Sequence, residues 1–318
     1  MFGRRSNGID VLIRRPRQSA WQRFLEAPVV FLAQTLYHWG LSKAAATRPQ
    51  PCASDNKVSI VCISDTHNSQ PRLPDGDVLI HAGDLTQIGS FEEIQATLDW
   101  LQSQPHRHKI VIAGNHDLLL DSNCDGSPGQ PAVVATAARA HLNWGDIKYL
   151  QESSTTIVCA NGRQLKVYGS PRVPRCGNWA FQYERAEDVW TNTVPDDTDI
   201  LVTHAPPRTH LDLLHLGCGF LLGELWRVRP RLHVFGHIHA GRGEEQLYFD
   251  TLQQAYEKAI VSRGGIWNFA LVVKGFLESL LGLVTVELEA EAKTLLVNAA
   301  VVGGLRNDER RAPIQVDI

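Results

Sequence analysis

The chain has 318 residues, 43% of them hydrophobic and 20% charged, which is enough apolar material for a sizeable core and excludes disorder over most of its length. Lys and Arg total 31 against 34 Asp and Glu, a balance that excludes a protein built to coat duplex nucleic acid. The charge is unevenly spread, with +6 on residues 1–50 and −9 on the rest.

In chain order, the first feature is basic. Arg4, Arg5, Arg14, Arg15, Arg17 and Arg23 precede the longest uncharged run, the 16 residues from Ala27 to Ser42. That run is shorter than the roughly 18–20 apolar residues that cross a bilayer, and it lacks a clean small-residue cleavage site. Its readings are an interfacial helix, a mitochondrial-type leader, or a helix packed on the domain's own surface. The Pro/Ala/Ser stretch from Ala44 to Ser54 reads as a linker, so residues 1–54 are set apart as a basic, apolar N-terminal segment. One catalytic-size domain is expected over residues 55–305, with an apolar insertion at about 260–290, and residues 306–318 as a C-terminal tail. The stretch Ile266–Leu288 within that insertion is a second candidate for membrane contact. Six cysteines, Cys52, Cys62, Cys124, Cys159, Cys176 and Cys218, lack C-x-x-C spacing, which favours a reducing compartment. The expected location is cytoplasmic, with or without attachment to a membrane surface.

Short apolar runs then recur, each ending in polar residues. Val58–Ile63 runs into Ser64-Asp65-Thr66-His67-Asn68, Val78–Ile80 into His81-Ala82-Gly83-Asp84, and Ile110–Ile112 into Ala113-Gly114-Asn115-His116-Asp117. Ile200–Val202 runs into Thr203-His204, and Leu232–Phe235 into Gly236-His237-Ile238-His239. These predict strands that deliver Asp, Asn or His at their ends. Phe91, Ile94, Leu98 and Leu101 repeat at helical spacing behind a Ser90-x-x-Glu93 capping box, so a strand–helix–strand unit and a parallel sheet are expected. Thr155–Cys159 and Gln164–Tyr168 flank Asn161-Gly162, a hairpin signal. Thr294–Val302 reads as a late strand.

Singly, each polar motif has an ordinary reading as a turn or a solvated pair. Together, Asp65-x-His67, Gly83-Asp84, Gly114-Asn115-His116-Asp117, His204 and Gly236-His237-x-His239 resemble the calcineurin-like metallophosphoesterase superfamily, which carries D-x-H, G-D, G-N-H-[DE], H and G-H-x-H in this order. Gly169-Ser170-Pro171 with Trp179-Ala180-Phe181 brings the resemblance closest to the MPPED-type phosphodiesterase group. The Asp-Arg-Gly signature of protein serine/threonine phosphatases is absent, and Gln87 stands where purple acid phosphatases place a ligand Tyr.

The resemblance implies a four-layer α/β/β/α sandwich of two mixed sheets flanked by helices. It implies two divalent metal ions, the first held by Asp65, His67, Asp84 and His239 and the second by Asp84, Asn115, His204 and His237. Imidazole, carboxylate and amide donors without thiolate suit Mn²⁺, Fe²⁺ or Zn²⁺. His116 would serve the leaving group, with Asp117 orienting its second ring nitrogen. Arg208, Arg172 and Arg175 are candidate phosphate clamps, and Trp179 a candidate stacking surface for a base. His210, His215 and His233 lie off the motifs and read as structural. The implied activity is hydrolysis of small phosphodiesters, cyclic or other nucleotides first, with no stable nucleic-acid partner. The alternatives are a nuclease or phosphomonoesterase of the same superfamily, or a peripheral membrane protein with a structural metal site.

Overall fold

The computed structural model describes residues 19–47, 57–123, 132–213, 215–262, 264–280, 293–303 and 309–318, so Cys52, Cys124 and the arginines before Ser19 lie outside the described residues. The chain opens with helices α1 (Ala20–Glu26) and α2 (Pro28–Thr47). It continues through β1 (Ser59–Ile63), β2 (Val78–Ala82), α3 (Phe91–Gln102), β3 (His108–Ile112), α4 (Ala132–Ala140) and β4 (Ile147–Tyr149). Next come β5 (Ser153–Val158), β6 (Gln164–Ser170), β7 (Val173–Pro174), β8 (Gln182–Tyr183), β9 (Ile200–Thr203), α5 (Gly219–Val228) and β10 (Leu232–Phe235). It closes with β11 (Gly243–Tyr248), α6 (Thr251–Val261), α7 (Ile266–Leu280), β12 (Lys293–Asn298), β13 (Val302–Gly303), β14 (Glu309–Arg310) and β15 (Ile314–Asp317). The chain divides into two compact units, residues 55–246 with 294–318, and residues 1–54 with 247–293.

The first unit is a mixed α/β fold with two large sheets. One sheet has the order β15-β1-β2-β3-β4, and the other β11-β12-β10-β9-β6-β5. Strands β1 to β4 are mutually parallel, as are β6, β9, β10 and β12, whereas β15 and β5 pair antiparallel at or beside the edges. Alternation decides what each face does. Ile60, Cys62, Ile80 and Ile112 point inward and form one buried cluster with Val167, Ile200, Val202, Val234 and Val297 from the other sheet. Val61, Ile63, Leu79 and Val111 point outward against Ile94, Leu98 and Leu101 of α3. Each of those three α3 side chains is fully buried and contributes about 1.5–3 kcal/mol of apolar transfer.

The hairpin expected at Asn161-Gly162 forms, with β5 antiparallel to β6 and Gly162 at φ +83°. The β2–α3–β3 unit is parallel, and the Ser90 hydroxyl caps α3 by accepting from Glu93 N. The C-terminal residues expected as a tail behave differently. Ile314 and Val316 alternate inward from β15, which pairs with β1 and closes that sheet edge, so the last residues belong to the core sheet.

The second unit consists of α1, α2, α6 and α7, so the N-terminal segment and the apolar insertion belong to one helical body. Its interior holds Tyr37 of α2 stacked on Tyr256 of α6 at 4.0 Å, with Tyr37 donating to Gln253. Among the described residues, no helix is long and apolar enough to cross a membrane.

Candidate metal centre

Strands β1, β2, β3, β9 and β10 end on polar loops, and the seven residues singled out as ligands meet there. Parallel strands leave such a crevice outside their carboxyl ends. Asp65, His67 and His239 offer donor atoms within 4.8 Å of one another, as do His67, Asp84 and His116, and Asp84, His204 and His237. Asp84 faces both groups, its Oδ2 at 3.7 Å from His67 Nε2 and its Oδ1 at 3.3 Å from His204 Nε2. Asn115 Oδ1 lies 3.1 Å from His204 Nε2, and His239 Nε2 lies 3.1 Å from Asp65 Oδ1.

The backbone is bent to produce this convergence. Asp65, His67, Asp84 and His237 all occupy the left-handed region, at φ 54°, 43°, 52° and 65°. Such conformations cost of order 1–3 kcal/mol each and persist only where surroundings impose them. Here the His237 amide donates to both Asp65 oxygens at 3.1 and 3.0 Å, and the His116 amide donates to Asp84 Oδ1 at 2.8 Å. Gly236 makes room: a Cβ there would stand 2.1 Å from Asp65 Oδ2.

The donor set fits divalent cations. Asp65 and Asp84 are buried carboxylates, and in the protein alone their charge is balanced by neighbouring imidazoles. Burial opposes ionisation, yet His239 beside Asp65 and His204 beside Asp84 hold both acids well below the usual carboxylate range. Burial alone would lower His204, but Asp84 and Asp65 raise it to about 9. His237, without a carboxylate so close, is pushed by burial down to about 3. The ring orientations agree with metal ligation: His67 Nδ1 donates to Thr86 O and His204 Nδ1 to Ala82 O, which turns each Nε2 into the site. His67 Nε2 is buried and has no hydrogen-bond partner, although a carboxylate oxygen faces it. A lone pair aimed at a carboxylate is what a cation between them would satisfy.

The family model described as calcineurin-like phosphoesterase matches residues 58–241, the segment that contains all of these residues. The chain belongs to that family. It is 40% identical over 204 residues to human metallophosphoesterase domain-containing protein 1, covering 58% of this chain and 61% of that one. A Caenorhabditis elegans relative is 38% identical over 210 residues, covering 59% and 71%. An Emericella nidulans protein called probable rhamnogalacturonate lyase C is 45% identical over 313 residues, 98% of this chain. The chain spans only 29% of that relative and 61% of the human one.

Within this member of the calcineurin-like phosphoesterase family, His116 stands beside the ligand cluster, its ring centroid 4.7 Å from that of His67. Its second nitrogen is oriented differently from the sequence expectation. Asp117 does not reach it: the Asp117 carboxylate turns into the core and accepts from the amides of Gly114, Leu85 and Thr86 and from the Thr86 hydroxyl. Adjacent residues in this tight turn point opposite ways, so Asp117 ties the β3 loop to the β2 loop. The His116 Nδ1 proton goes instead to Gln87 O at 2.7 Å. Glu93 holds that loop by accepting from Ile88 N, Gly89 N and Asn68 Nδ2. The Ser90-x-x-Glu93 spacing signals only helix capping, so the sequence gives no sign of this task.

Two further pairs lie behind the ligands. Thr66 and Thr203, which flank ligand positions, each accept from a buried neutral imidazole, His81 Nε2 at 2.9 Å and His233 Nε2 at 2.8 Å, and burial pushes both rings down to about 3. His210 is buried and bonds Glu245. The arginines divide. Arg172 is paired with Glu152 and donates to Val189 O, and Arg175 is paired with Glu184, so both candidate clamps carry local carboxylate partners. Arg208 Nε is buried without a hydrogen-bond partner. Trp179 is half-buried against His116, with ring centroids 4.1 Å apart, and its loop is anchored by Ala180 N to Asn115 O and Phe181 N to Asp121.

Proposed function

We propose that this chain is a binuclear metal-dependent phosphodiesterase acting on small soluble phosphodiesters, with cyclic and other nucleotides as the first class to test. The observation that carries the reading is Asp84, whose two oxygens face two different ligand groups from the junction between them. In the proposed arrangement Asp65, His67, Asp84 and His239 hold one ion, and Asp84, Asn115, His204 and His237 the other. Mn²⁺, Fe²⁺ and Zn²⁺ suit this donor set. Two such ions would neutralise the phosphoryl oxygens and supply a nucleophile by lowering the pKa of a shared water. The protein's own part is to fix the acceptor between Asn115 and His116 and to move one proton. With Nδ1 committed to Gln87 O, His116 has Nε2 free to donate to the departing oxygen.

A diester monoanion needs less neutralisation than a monoester dianion, which requires cationic groups beyond the metals. The carboxylate partners of Arg172 and Arg175 favour the diester, as does the missing Asp-Arg-Gly arginine. The −9 balance outside the first 50 residues disfavours a nuclease. The test compares kcat/KM on bis-p-nitrophenyl phosphate and p-nitrophenyl phosphate with the same metal and pH. Preference for the diester supports the proposal. Preference for the monoester overturns the diesterase reading within the family, and no turnover of either by metal-loaded protein favours a structural metal site instead.

A further inference from the structure

Helix α7 is apolar on both of its faces. Val272, Gly275 and Phe276 turn into the helical unit, whereas Ile266, Trp267, Leu271, Leu277 and Leu280 face outward, Trp267 with 83% of its surface exposed. A soluble helix keeps its outward face polar, and one that is apolar all round is covered by something. Lys274 is the one basic residue on that outward face among the described residues, and its ammonium reaches Glu278 at 3.6 Å.

The same property continues on α1 and α2. Trp21 is 67% exposed and Leu25 62% exposed, and an apolar groove beside them is lined by Phe24 and Phe31. The helices that bear these patches are packed neighbours. Gly264, at the turn into α7, sits against Val29 and Val30 at the start of α2. Twelve residues further along α7, the Phe276 ring lies 5.1 Å from the half-exposed Trp39. Helices α2 and α7 therefore run side by side in the same direction, with Trp267 at the end that carries α1 and Trp39 at the other.

We infer that this face of the helical unit docks on an anionic lipid bilayer, lying in the interface without crossing it. Among the described residues no helix is long and apolar enough to cross a bilayer, which suits a face that lies in the interface. Trp is the residue type suited to the headgroup boundary, and Lys274 has an apolar stem that can lie along the surface while its ammonium stays in water. The charge complements that surface: residues 1–50 carry +6 in a chain that is otherwise −9, with Arg4, Arg5, Arg14, Arg15 and Arg17 immediately preceding α1 in sequence. Each basic residue near an anionic leaflet favours binding, and apolar insertion adds to it.

The test is co-sedimentation of the full chain with phosphatidylcholine vesicles, with and without one third phosphatidylserine, at low and high salt. Anionic vesicles should pellet the protein, neutral ones should bind it at least tenfold more weakly, and salt should release it. Trp267→Glu should lower partitioning by roughly tenfold or more, because an exposed side chain that would enter the interface becomes charged. Trp267→Phe should keep binding while reducing quenching of tryptophan fluorescence by brominated lipid. Circular dichroism and turnover of a soluble diester should match wild type in both variants, since Trp267 is not one of the candidate metal ligands. Failure to bind anionic vesicles at low salt overturns the inference, as does binding that Trp267→Glu leaves unchanged. Conversion of a dimer to a monomer by Trp267→Glu, without vesicle binding, assigns the face to a second copy and overturns it equally.

Discussion

Replacing Asp84 by Asn removes one charge and turns one of two oxygens into an NH₂ group. The amide oxygen can still accept from His116 N, now 2.8 Å from Oδ1, so the retained oxygen stays on the His204 side. The NH₂ then faces His67 Nε2 and donates to the lone pair that the proposal assigns to an ion. Loss of a ligand should exceed the 10–100-fold cost typical of an outer-shell change, so a 100-fold rise in Kd is a lower bound. At metal 100 times above the wild-type Kd, wild type gains about 2.7 kcal/mol, whereas the variant, then near its own Kd, gains about 0.4 kcal/mol. With about 2–4 °C per kcal/mol for a domain of this size, metal should raise wild-type Tm by roughly 5–10 °C and that of Asp84→Asn by about 1–2 °C. Thermal melts with and without metal, alongside elemental analysis of bound ions, read this directly. Equal metal-induced shifts with two ions still bound would refute the bridging role.

His116→Ala should keep both ions yet lower kcat by roughly 10²–10⁴, most on diesters with poor leaving groups; equal losses on good and poor leaving groups exclude proton donation. Glu93→Gln should retain metal and lower kcat more than it raises KM, because it loosens the loop whose Gln87 carbonyl holds His116, and unchanged kcat would show that the loop needs no such anchor. Gly236→Ala should lower metal affinity with Asp65 still present, since the added Cβ meets its carboxylate; unchanged metal binding would mean that Asp65 is not placed by this contact. His233 is neutral when folded, at about 3, and titrates near 6.5 when unfolded, so the unfolded chain binds more protons between those values. Stability from this group is therefore full above about pH 6.5 and falls as pH drops, by up to about 1.4 kcal/mol per unit. His233→Gln should flatten that acid limb in urea midpoints measured from pH 4 to 7, and an unchanged slope would show that His233 is charged in the fold.

The ligand positions are legible because each follows an apolar strand, and the ends of parallel strands converge whatever the loops do. What faces a ligand from a neighbouring loop is harder to read. Asp117 follows His116 in sequence, and proximity in sequence suggests a partnership, but the turn sends the two side chains in opposite directions. Glu93 fits a capping-box pattern, but its carboxylate bonds the 88–89 amides in place of the Ser90 amide, so the signal points to a different task from the one performed. Arg172 and Arg175 offer charge in the sequence, while their partners Glu152 and Glu184 are settled only by packing. The last strand is missed because Ile314-Gln-Val-Asp is too short to show a period of two beyond the charged residues before it.

The candidate ligands also stitch the two sheets together. Asp65 stands at the end of β1 and accepts from the amide of His237, which follows β10 in the other sheet. His204 follows β9 and donates back to Ala82 O, at the end of β2. The contacts that aim donors into the centre are thus the contacts that hold the sandwich shut at this rim, and the left-handed residues among them are costly unless both sheets are in place. Metal affinity and closure of the sandwich then become two readings of one equilibrium. A cation that binds only the closed arrangement stabilises it, and a substitution in either sheet that opens the rim weakens binding without touching a ligand. The sequence separation involved, from Asp65 to His237, makes the centre a long-range product of the fold, and the strained turns around it persist because the interior between the sheets is packed by Ile60, Ile80, Val167 and Val202.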